Sequence, residues 1–106
     1  MHKKSIVSIK AEPTEKYKDK FTGDFVIKSV FDKDDSSEQE MYNVTFKAGC
    51  RTRPHIHASE QILIATEGKG VVVFAKRIKI DPDQITKTEI EVESTLMMEK
   101  GDVICV

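Results

Sequence analysis

The sequence predicts an all-β protein, and three of its features support that prediction. Ile occurs eleven times and Val ten times, whereas Leu occurs twice and Ala five times. β-branched side chains suit a pleated strand and lose rotamer freedom in a helix. Several segments also alternate apolar and polar residues with a period of two, and Gly and Asp turns separate them. Short strands at regular spacing are typical of sandwiches and barrels.

The predicted strands are apolar or alternating segments bounded by turn residues. They cover residues 5–9, 25–31, 42–46, 62–65, 71–74, 76–80, 88–93 and 103–106. Residues 1–20 are expected to form an N-terminal arm with one helical turn after Pro13, and residues 32–40 an acidic, solvated loop. In residues 88–93, Ile90 and Val92 alternate with glutamates, whereas isoleucines alternate with basic residues in the strand before it. These two strands are therefore predicted to pair as a hairpin, joined by a turn at residues 81–83.

Length and charge exclude several classes of function. The chain has 106 residues and a net charge of -1, from 17 basic and 18 acidic side chains. This length predicts a single domain over residues 1–106. Without a surplus of Lys and Arg or a long apolar run, no nucleic acid and no membrane is expected as a partner. The basic start of the chain is not followed by the apolar stretch of a signal peptide, so the expected location is cytoplasmic.

The segment with the clearest chemistry is residues 49–61, which contains His55 and His57. On a strand, side chains two residues apart point to the same face, so the two imidazoles are predicted to face one metal ion. Gln61 has the same parity as the histidines, whereas Glu60 does not. A His-x-His pair taken alone is more often a chance pair on a solvated face than a metal site. The prediction therefore depends on the surrounding sequence.

That surrounding sequence resembles the first motif of the cupin superfamily, Gly-x5-His-x-His-x3-Glu-x6-Gly. Gly49, His55, His57, position 61 and Gly68 reproduce every interval of the motif. From average residue frequencies, two Gly and two His at these spacings arise by chance in roughly one chain of this length in several thousand. The resemblance implies a cupin-type jelly-roll β-barrel, or double-stranded β-helix, with its first motif region at residues 42–70. It also implies that both histidines and the residue at position 61 bind a divalent metal inside the barrel.

Residues 99–106 resemble the start of the second cupin motif and stop one position before its expected proline. The resemblance implies that the closing C-terminal strands of the barrel are missing or are supplied by a partner chain. An inner strand would otherwise have an unpaired edge and an exposed apolar face. Two explanations are open and are weighted equally. Either the chain is a fragment of a longer protein, or a second chain covers the opening in a homodimer.

Two departures from the motif affect the expected metal site. Gln61 stands where the motif has Glu, and an amide oxygen coordinates a metal without adding negative charge, so a bound water would be more acidic. The resemblance is to a minority of small manganese cupins, among them hydroxynitrile lyases. The histidine of the second motif is absent, and His2 lies on a terminus where it is not a candidate ligand. A site of His55, His57 and Gln61 is expected to bind manganese, iron, nickel or zinc weakly, with positions left for water or substrate.

Other residues are weaker candidates. Arg53 shares the parity of the histidines and is a candidate for binding a substrate carboxylate, although arginines beside turns are usually surface charges. Cys50 and Cys105 have no Cys-x-x-Cys spacing and are expected to be buried structural thiols. No base accompanies Cys50, so it is not predicted to be a nucleophile. Met97 and Met98 are expected to pack in the core.

The sequence thus predicts a metal-binding cupin that acts on a small molecule, with no catalytic residue assigned. Its metal would polarise a carbonyl or hydroxyl oxygen, as in lyase, isomerase or dioxygenase reactions. Two alternatives remain open. One is a non-catalytic module that binds a small ligand or only dimerises, and the other is a truncated, inactive fragment. The fold does not choose between an enzyme and a binding module.

Overall fold

The computed structural model describes residues 1–80 and 88–106, and within them almost all regular structure is β-strand. The described elements are two short 3-10 turns and eight strands. The turns are Ile6–Ser8 and Thr14–Tyr17, and the strands are β1 Phe21–Thr22, β2 Phe25–Phe31, β3 Met41–Phe46, β4 Arg51–Thr52, β5 Ile62–Ile64, β6 Lys69–Ile80, β7 Thr88–Glu99 and β8 Val103–Cys105. The prediction of a mostly β protein is confirmed. In the described part of the chain, no helix is long and apolar enough to cross a membrane.

The strands pair two by two, and all four pairs are antiparallel. The pairs are β1 with β4, β2 with β3, β5 with β8 and β6 with β7. The pairs belong to two compact units, Met1–Arg53 (unit 1) and Pro54–Val106 (unit 2). Because no sheet within residues 1–80 and 88–106 has more than two strands, closure into a jelly-roll barrel stays a prediction.

Unit 1 is built on the β2–β3 hairpin, whose strands match two predicted segments. β2 buries Phe25, Ile27 and Val30, and its apolar residues therefore form the core of this unit. The ring of Phe21 stacks on Phe25 with 4.1 Å between centroids and lies 5.8 Å from the ring of Phe46. Aromatic contacts of this kind add to the burial of apolar area and hold β1 against the hairpin.

The N-terminal arm is attached to this core by hydrogen bonds. The N–H of Glu12 donates to the carbonyl of Ile27 at 2.8 Å, and the ammonium of Lys28 donates to the carbonyl of Ile6 at 3.0 Å. The helical turn after Pro13 is confirmed, but the strand predicted at residues 5–9 is wrong, because this segment forms the first 3-10 turn. Its backbone donors bond to carbonyls three residues earlier, at 3.0 and 3.3 Å, and so need no partner strand.

Unit 2 is a long two-stranded ribbon with one bend. β6 pairs with β7 over its full length, which confirms the predicted hairpin, and β5 pairs with β8 beyond the bend. Two backbone hydrogen bonds join the ladders at the bend, from Gly101 to Ala65 at 2.8 Å and from Lys100 to Gly68 at 3.2 Å. The predicted turn at residues 81–83 lies outside the described residues.

This ribbon buries few side chains, and two sequence predictions fail for that reason. Met98 is buried as predicted, but Met97 is 66% exposed because it lies on the opposite face of β7. Cys105 is exposed rather than buried, since it sits opposite Ile62 on a two-stranded ladder that leaves this face open. Cys50, in unit 1, is half-buried.

Candidate metal site

The two histidines of the predicted metal motif lie between β4 and β5, in a segment without regular secondary structure. The strand expected for this segment is therefore wrong for residues 53–60. Pro54 has no backbone N–H to give to a ladder, and a proline inside a strand is unfavourable. The segment is fixed at its start, where the N–H of Arg53 donates to the carbonyl of Lys20 at 2.8 Å.

The side chains of His55 and His57 nevertheless converge. Their Nε2 atoms lie 3.0 Å apart, and their rings meet edge to face at 84° with 4.7 Å between centroids. Both histidines are exposed to solvent. A hydrogen bond at this distance requires one Nε2 to carry the proton and the other to accept it.

The separation of the two nitrogens is close to the separation that two ligands of one metal ion would have. Bonds from imidazole nitrogen to a first-row metal are about 2.1 Å long, so two of them at a right angle place their nitrogens about 3.0 Å apart, whereas the tetrahedral angle gives about 3.4 Å. The 3.0 Å between the two Nε2 atoms is also the ordinary length of the hydrogen bond between the rings, so this distance does not discriminate among metals.

The third predicted ligand, Gln61, is held by its backbone at the start of the β5–β8 ladder. Its N–H and carbonyl exchange hydrogen bonds of 2.8 Å with Val106, and the residue is half-buried. Among residues 1–80 and 88–106, no group of three or more His, Cys, Asp or Glu side chains is placed to hold a metal. Coordination by Gln61 stays a prediction.

Glu60 does not complete a cluster of two histidines and a carboxylate. The thiol of Cys105, on β8, donates a weak hydrogen bond to Oε2 of Glu60, with 4.0 Å between Sγ and Oε2. The sequence predicted that Glu60 would face away from the histidines if a strand continued to residue 61, and its carboxylate lies beside Cys105. Substrate or water would have to fill the positions that the histidine pair leaves around an ion.

The remaining predicted candidates lie in unit 1. Arg53 is half-buried, and binding of a substrate carboxylate by its guanidinium stays a prediction. Burial raises the pKa of the Cys50 thiol, and the nearby carboxylate of Asp24 raises it further. A thiol held in its protonated form is a poor nucleophile, in agreement with the sequence prediction. His2 lies beside an acidic side chain of the same unit, with its Nδ1 4.0 Å from Oδ1 of Asp35.

Two shallow depressions of about 200 and 300 Å³ lie along the β6–β7 ribbon, and neither is lined by a histidine. The larger one is formed by Lys69, Met97, Met98, Glu99 and Asp102. The histidine pair is thus an open surface site rather than part of either depression.

Comparison of the chain with models of protein families, with curated proteins and with solved structures finds no match. The spacing of the motif and the geometry of the histidine pair are therefore the two observations on which a function can be based.

Proposed function

We propose that the protein is a small cupin that binds one divalent transition metal through His55 and His57, with Gln61 as the third protein ligand. The observation that carries the proposal is the 3.0 Å distance between the two Nε2 atoms. The spacing of the histidines between Gly49 and Gly68 supports it independently, because that spacing is a property of the sequence alone. Manganese, iron, nickel and zinc are the candidate ions, because imidazole and amide ligands accept all four.

The bound metal would supply Lewis acidity toward a carbonyl or hydroxyl oxygen of a small substrate, as in a lyase, isomerase or dioxygenase. The chain itself contributes ligands, orientation and access. Both histidines must offer an unprotonated Nε2, so the ring that donates the hydrogen bond to the other must carry its proton on Nδ1 when the site is filled. Gln61 adds no negative charge, which leaves more of the metal's charge to act on a substrate. Arg53 is proposed to bind a substrate carboxylate.

A second candidate function is a non-catalytic β-module that binds a partner or a small ligand. The observation that favours it is the large number of exposed apolar side chains in unit 2, which an isolated soluble enzyme has no need to display. The two candidates predict different behaviour of His57→Ala. An enzyme loses turnover and keeps its fold, whereas a purely structural module loses neither its fold nor its association.

Metal binding is tested by titrating chelator-treated protein with manganese, nickel and zinc in a calorimeter and by elemental analysis after desalting. Wild-type protein is expected to bind about one ion per chain, and the double variant H55A/H57A none. His2→Ala is the matched control, because it also removes a histidine but one that lies beside Asp35 in unit 1. Equal metal content in wild type and double variant contradicts the proposal, as does equal loss in His2→Ala.

The role of Gln61 is tested in the same titration by two substitutions. Gln61→Glu is expected to tighten metal binding about tenfold, because a carboxylate places a full negative charge beside the ion. Gln61→Ala is expected to weaken binding. If both variants bind metal as wild type does, the histidine pair binds without Gln61, and that part of the proposal is wrong.

A further inference from the structure

The two outer edges of the β2–β3 hairpin in unit 1 differ. The outer edge of β2 is covered by the N-terminal arm, because the carbonyl of Ile27 accepts a hydrogen bond of 2.8 Å from the N–H of Glu12. Among the described residues, no strand pairs with the outer edge of β3. β3 therefore presents a row of unpaired backbone groups, which is a template for an added strand.

The ladder shows which backbone groups of β3 face outward. In an antiparallel ladder, the N–H and C=O of one residue point to the same side, and that side alternates along the strand. The carbonyl of Ile27 points to the arm, so its partner Val44 also turns its N–H and C=O away from the ladder. By alternation along β3, the backbone groups of Tyr42 and Phe46 face outward as well.

A second hydrogen bond supports this assignment. The N–H of Lys47 donates to the carbonyl of Asp24 at 3.0 Å, so residue 47 points its backbone toward β2, as the alternation from Val44 requires. No backbone hydrogen bond from residues 1–80 or 88–106 reaches the outward groups of β3. The strand also lacks the charges, prolines and bulges that usually protect an edge, since its six residues are uncharged and the unpaired Val30 is on β2.

The outward residues of β3 share one face of the hairpin. Tyr42, Val44 and Phe46 lie opposite residues of β2 that include the buried Ile27 and Phe25. Tyr42 and Phe46 are nevertheless 43% and 48% exposed. A third strand on this edge would place every second side chain beside these three residues and extend the core of unit 1. The added strand is therefore expected to have apolar residues at alternate positions.

Opposite charges flank the two ends of β3. Glu40 precedes the strand and Lys47 follows it, and both are exposed. Burial raises the pKa of the Tyr42 hydroxyl, and the carboxylate of Glu40 raises it further, which shows that this end of the strand lies in a negative field. A complementary strand has a basic residue beside Glu40 and an acidic residue beside Lys47.

We propose that the edge of β3 binds an extended segment of another protein as an added antiparallel strand, whose alternating apolar residues lie between an acidic residue beside Lys47 and a basic residue beside Glu40. The outward backbone groups of Tyr42, Val44 and Phe46 supply the hydrogen bonds, and the flanking charges fix the direction. An antiparallel strand runs against β3, so its acidic residue comes first in its sequence.

A second copy of β3 matches these charges less well. Residues that lie directly opposite each other in an antiparallel ladder turn their backbone groups the same way, either both into the ladder or both out of it. When a strand pairs with its own copy, opposite positions must therefore differ by an even number. Glu40 and Lys47 are seven positions apart, so no register of two copies places them opposite each other. A segment of different sequence satisfies both charges.

The test uses the full chain and an amidated peptide, Glu-Val-Thr-Val-Thr-Val-Thr-Lys, with a fluorescent label on a flexible N-terminal linker. Its three valines stand opposite Phe46, Val44 and Tyr42, and its charged residues stand beside Lys47 and Glu40. Fluorescence anisotropy gives the dissociation constant in chelator, and the same value is expected with metal, because the edge contains none of the proposed metal ligands. Wild-type protein is expected to bind this peptide saturably. A peptide with the two charged residues exchanged is expected to bind about three- to tenfold more weakly at low salt and equally at high salt.

Methylation of single peptide amides tests the strand pairing. The central valine of the peptide lies opposite Val44, and its N–H points to β3. A methyl group on this nitrogen is expected to weaken binding about tenfold or more, because it removes the donor and leaves a carbonyl of β3 unpaired. The next threonine directs its N–H away from β3, so methylation there is the matched control and is expected to change binding less than about twofold.

A proline substitution tests the same edge from the side of the protein. Val44→Pro removes the central outward N–H without removing a donor from the ladder with β2, and is expected to abolish peptide binding. Val103→Pro is the matched control in unit 2. Val106 exchanges hydrogen bonds with Gln61, so alternation along β8 turns the N–H of Val103 outward as well. Circular dichroism of each variant shows whether the fold is retained, and the methylated peptides decide the matter on wild-type protein if Val44→Pro does not fold.

Several outcomes would overturn the proposal. Absence of binding to wild type, equal binding of the two methylated peptides, or equal loss in Val44→Pro and Val103→Pro would each show that the peptide does not add to β3. Equal low-salt affinity for the peptide with exchanged charges would show that the flanking charges do not select the partner. A wild-type dimer in sedimentation velocity that Val44→Pro abolishes would assign the edge to a second copy instead.

Discussion

Unit 1 buries the apolar side chains of its central strand, whereas unit 2 exposes most of its own. Phe25, Ile27 and Val30 are buried in unit 1, and Met98 is the one buried apolar residue of unit 2 among the described residues. Seventeen large apolar side chains of the described residues are exposed, and eleven of them belong to unit 2. The arm and the Phe21 ring cover β2 in unit 1, but a ribbon of two strands has no third layer, and such ribbons are marginally stable alone. Unit 1 is therefore expected to hold most of the stability that a single chain has, and unit 2 to gain stability from association.

The largest expected effect of a single substitution is at Ile27, which is 5% exposed. Ile27→Ala removes buried methyl groups and leaves a cavity, so the free energy of unfolding should fall by about 2–4 kcal/mol. Ile62→Ala makes the same chemical change in unit 2 at a side chain that is 66% exposed, and should cost less than about 0.5 kcal/mol. Urea unfolding of both variants, at a concentration where wild type is monomeric, gives the two values. Equal losses at the two positions would refute the contrast between the units.

An intermediate effect is expected at Gly23, where the chain turns between β1 and β2. Its φ is +99°, and a Cβ added there would lie 2.9 Å from the Cα of Cys50. Gly49 also has a positive φ, +81°, but no atom lies within 4 Å of its added Cβ. Both substitutions to Ala should cost about 1 kcal/mol for the left-handed backbone, and Gly23→Ala about 1–2 kcal/mol more because backbone atoms must move apart.

The difference between the stability losses of the two glycine variants measures the cost of the close approach between Gly23 and Cys50 in unit 1. Urea unfolding gives the two free energies, and amide hydrogen exchange shows whether the loss for Gly23→Ala is concentrated around β1 and β4. Equal losses of stability in the two variants would mean that the contact with Cys50 does not constrain the turn. The tight packing of unit 1 would then not extend to the turn between β1 and β2.

The sequence predicts strands well wherever the alternation is local and unbroken. β2 begins and ends at the predicted residues 25–31, and the hairpin of β6 and β7 was predicted from charge and parity. In β6, however, the sequence indicates two strands, at residues 71–74 and 76–80, where the structure has one. The bulge at Lys76 explains the difference, since it breaks the alternation without breaking the ladder.

The candidate site was predicted in part. The spacing of His55 and His57 correctly placed two imidazoles together, although an irregular segment rather than a strand does so. Metal binding by this pair stays a prediction. Contacts between residues far apart in sequence had no local signal. The ion pair between Lys4 and Asp35, for example, spans 31 positions.

The smallest expected effect concerns that ion pair, which ties the N-terminal arm to the rest of unit 1. The ammonium of Lys4 lies 2.8 Å from Oδ2 of Asp35 and 5.2 Å from the ring centre of Phe31. The hydrogen bond from Lys4, followed by one from the backbone N–H of Asp32, lowers the pKa of the Asp35 carboxyl below its ordinary value. A carboxyl whose pKa is lower in the folded chain stabilises the fold above its unfolded pKa and loses that contribution as the pH falls through the folded pKa.

Lys4→Ala is therefore expected to raise the pKa of Asp35, measured by a carboxyl NMR titration, and to lower stability slightly at neutral pH and low salt. The stability difference from wild type should vanish in strong acid, where Asp35 is protonated in both proteins, and should shrink in high salt because exposed pairs are screened. Lys18→Ala serves as the control, since it breaks an exposed ion pair with Glu15 and leaves Asp35 untouched. An Asp35 titration that is identical in wild type and Lys4→Ala would mean that the ion pair does not perturb Asp35. The arm would then be held by its other hydrogen bonds alone.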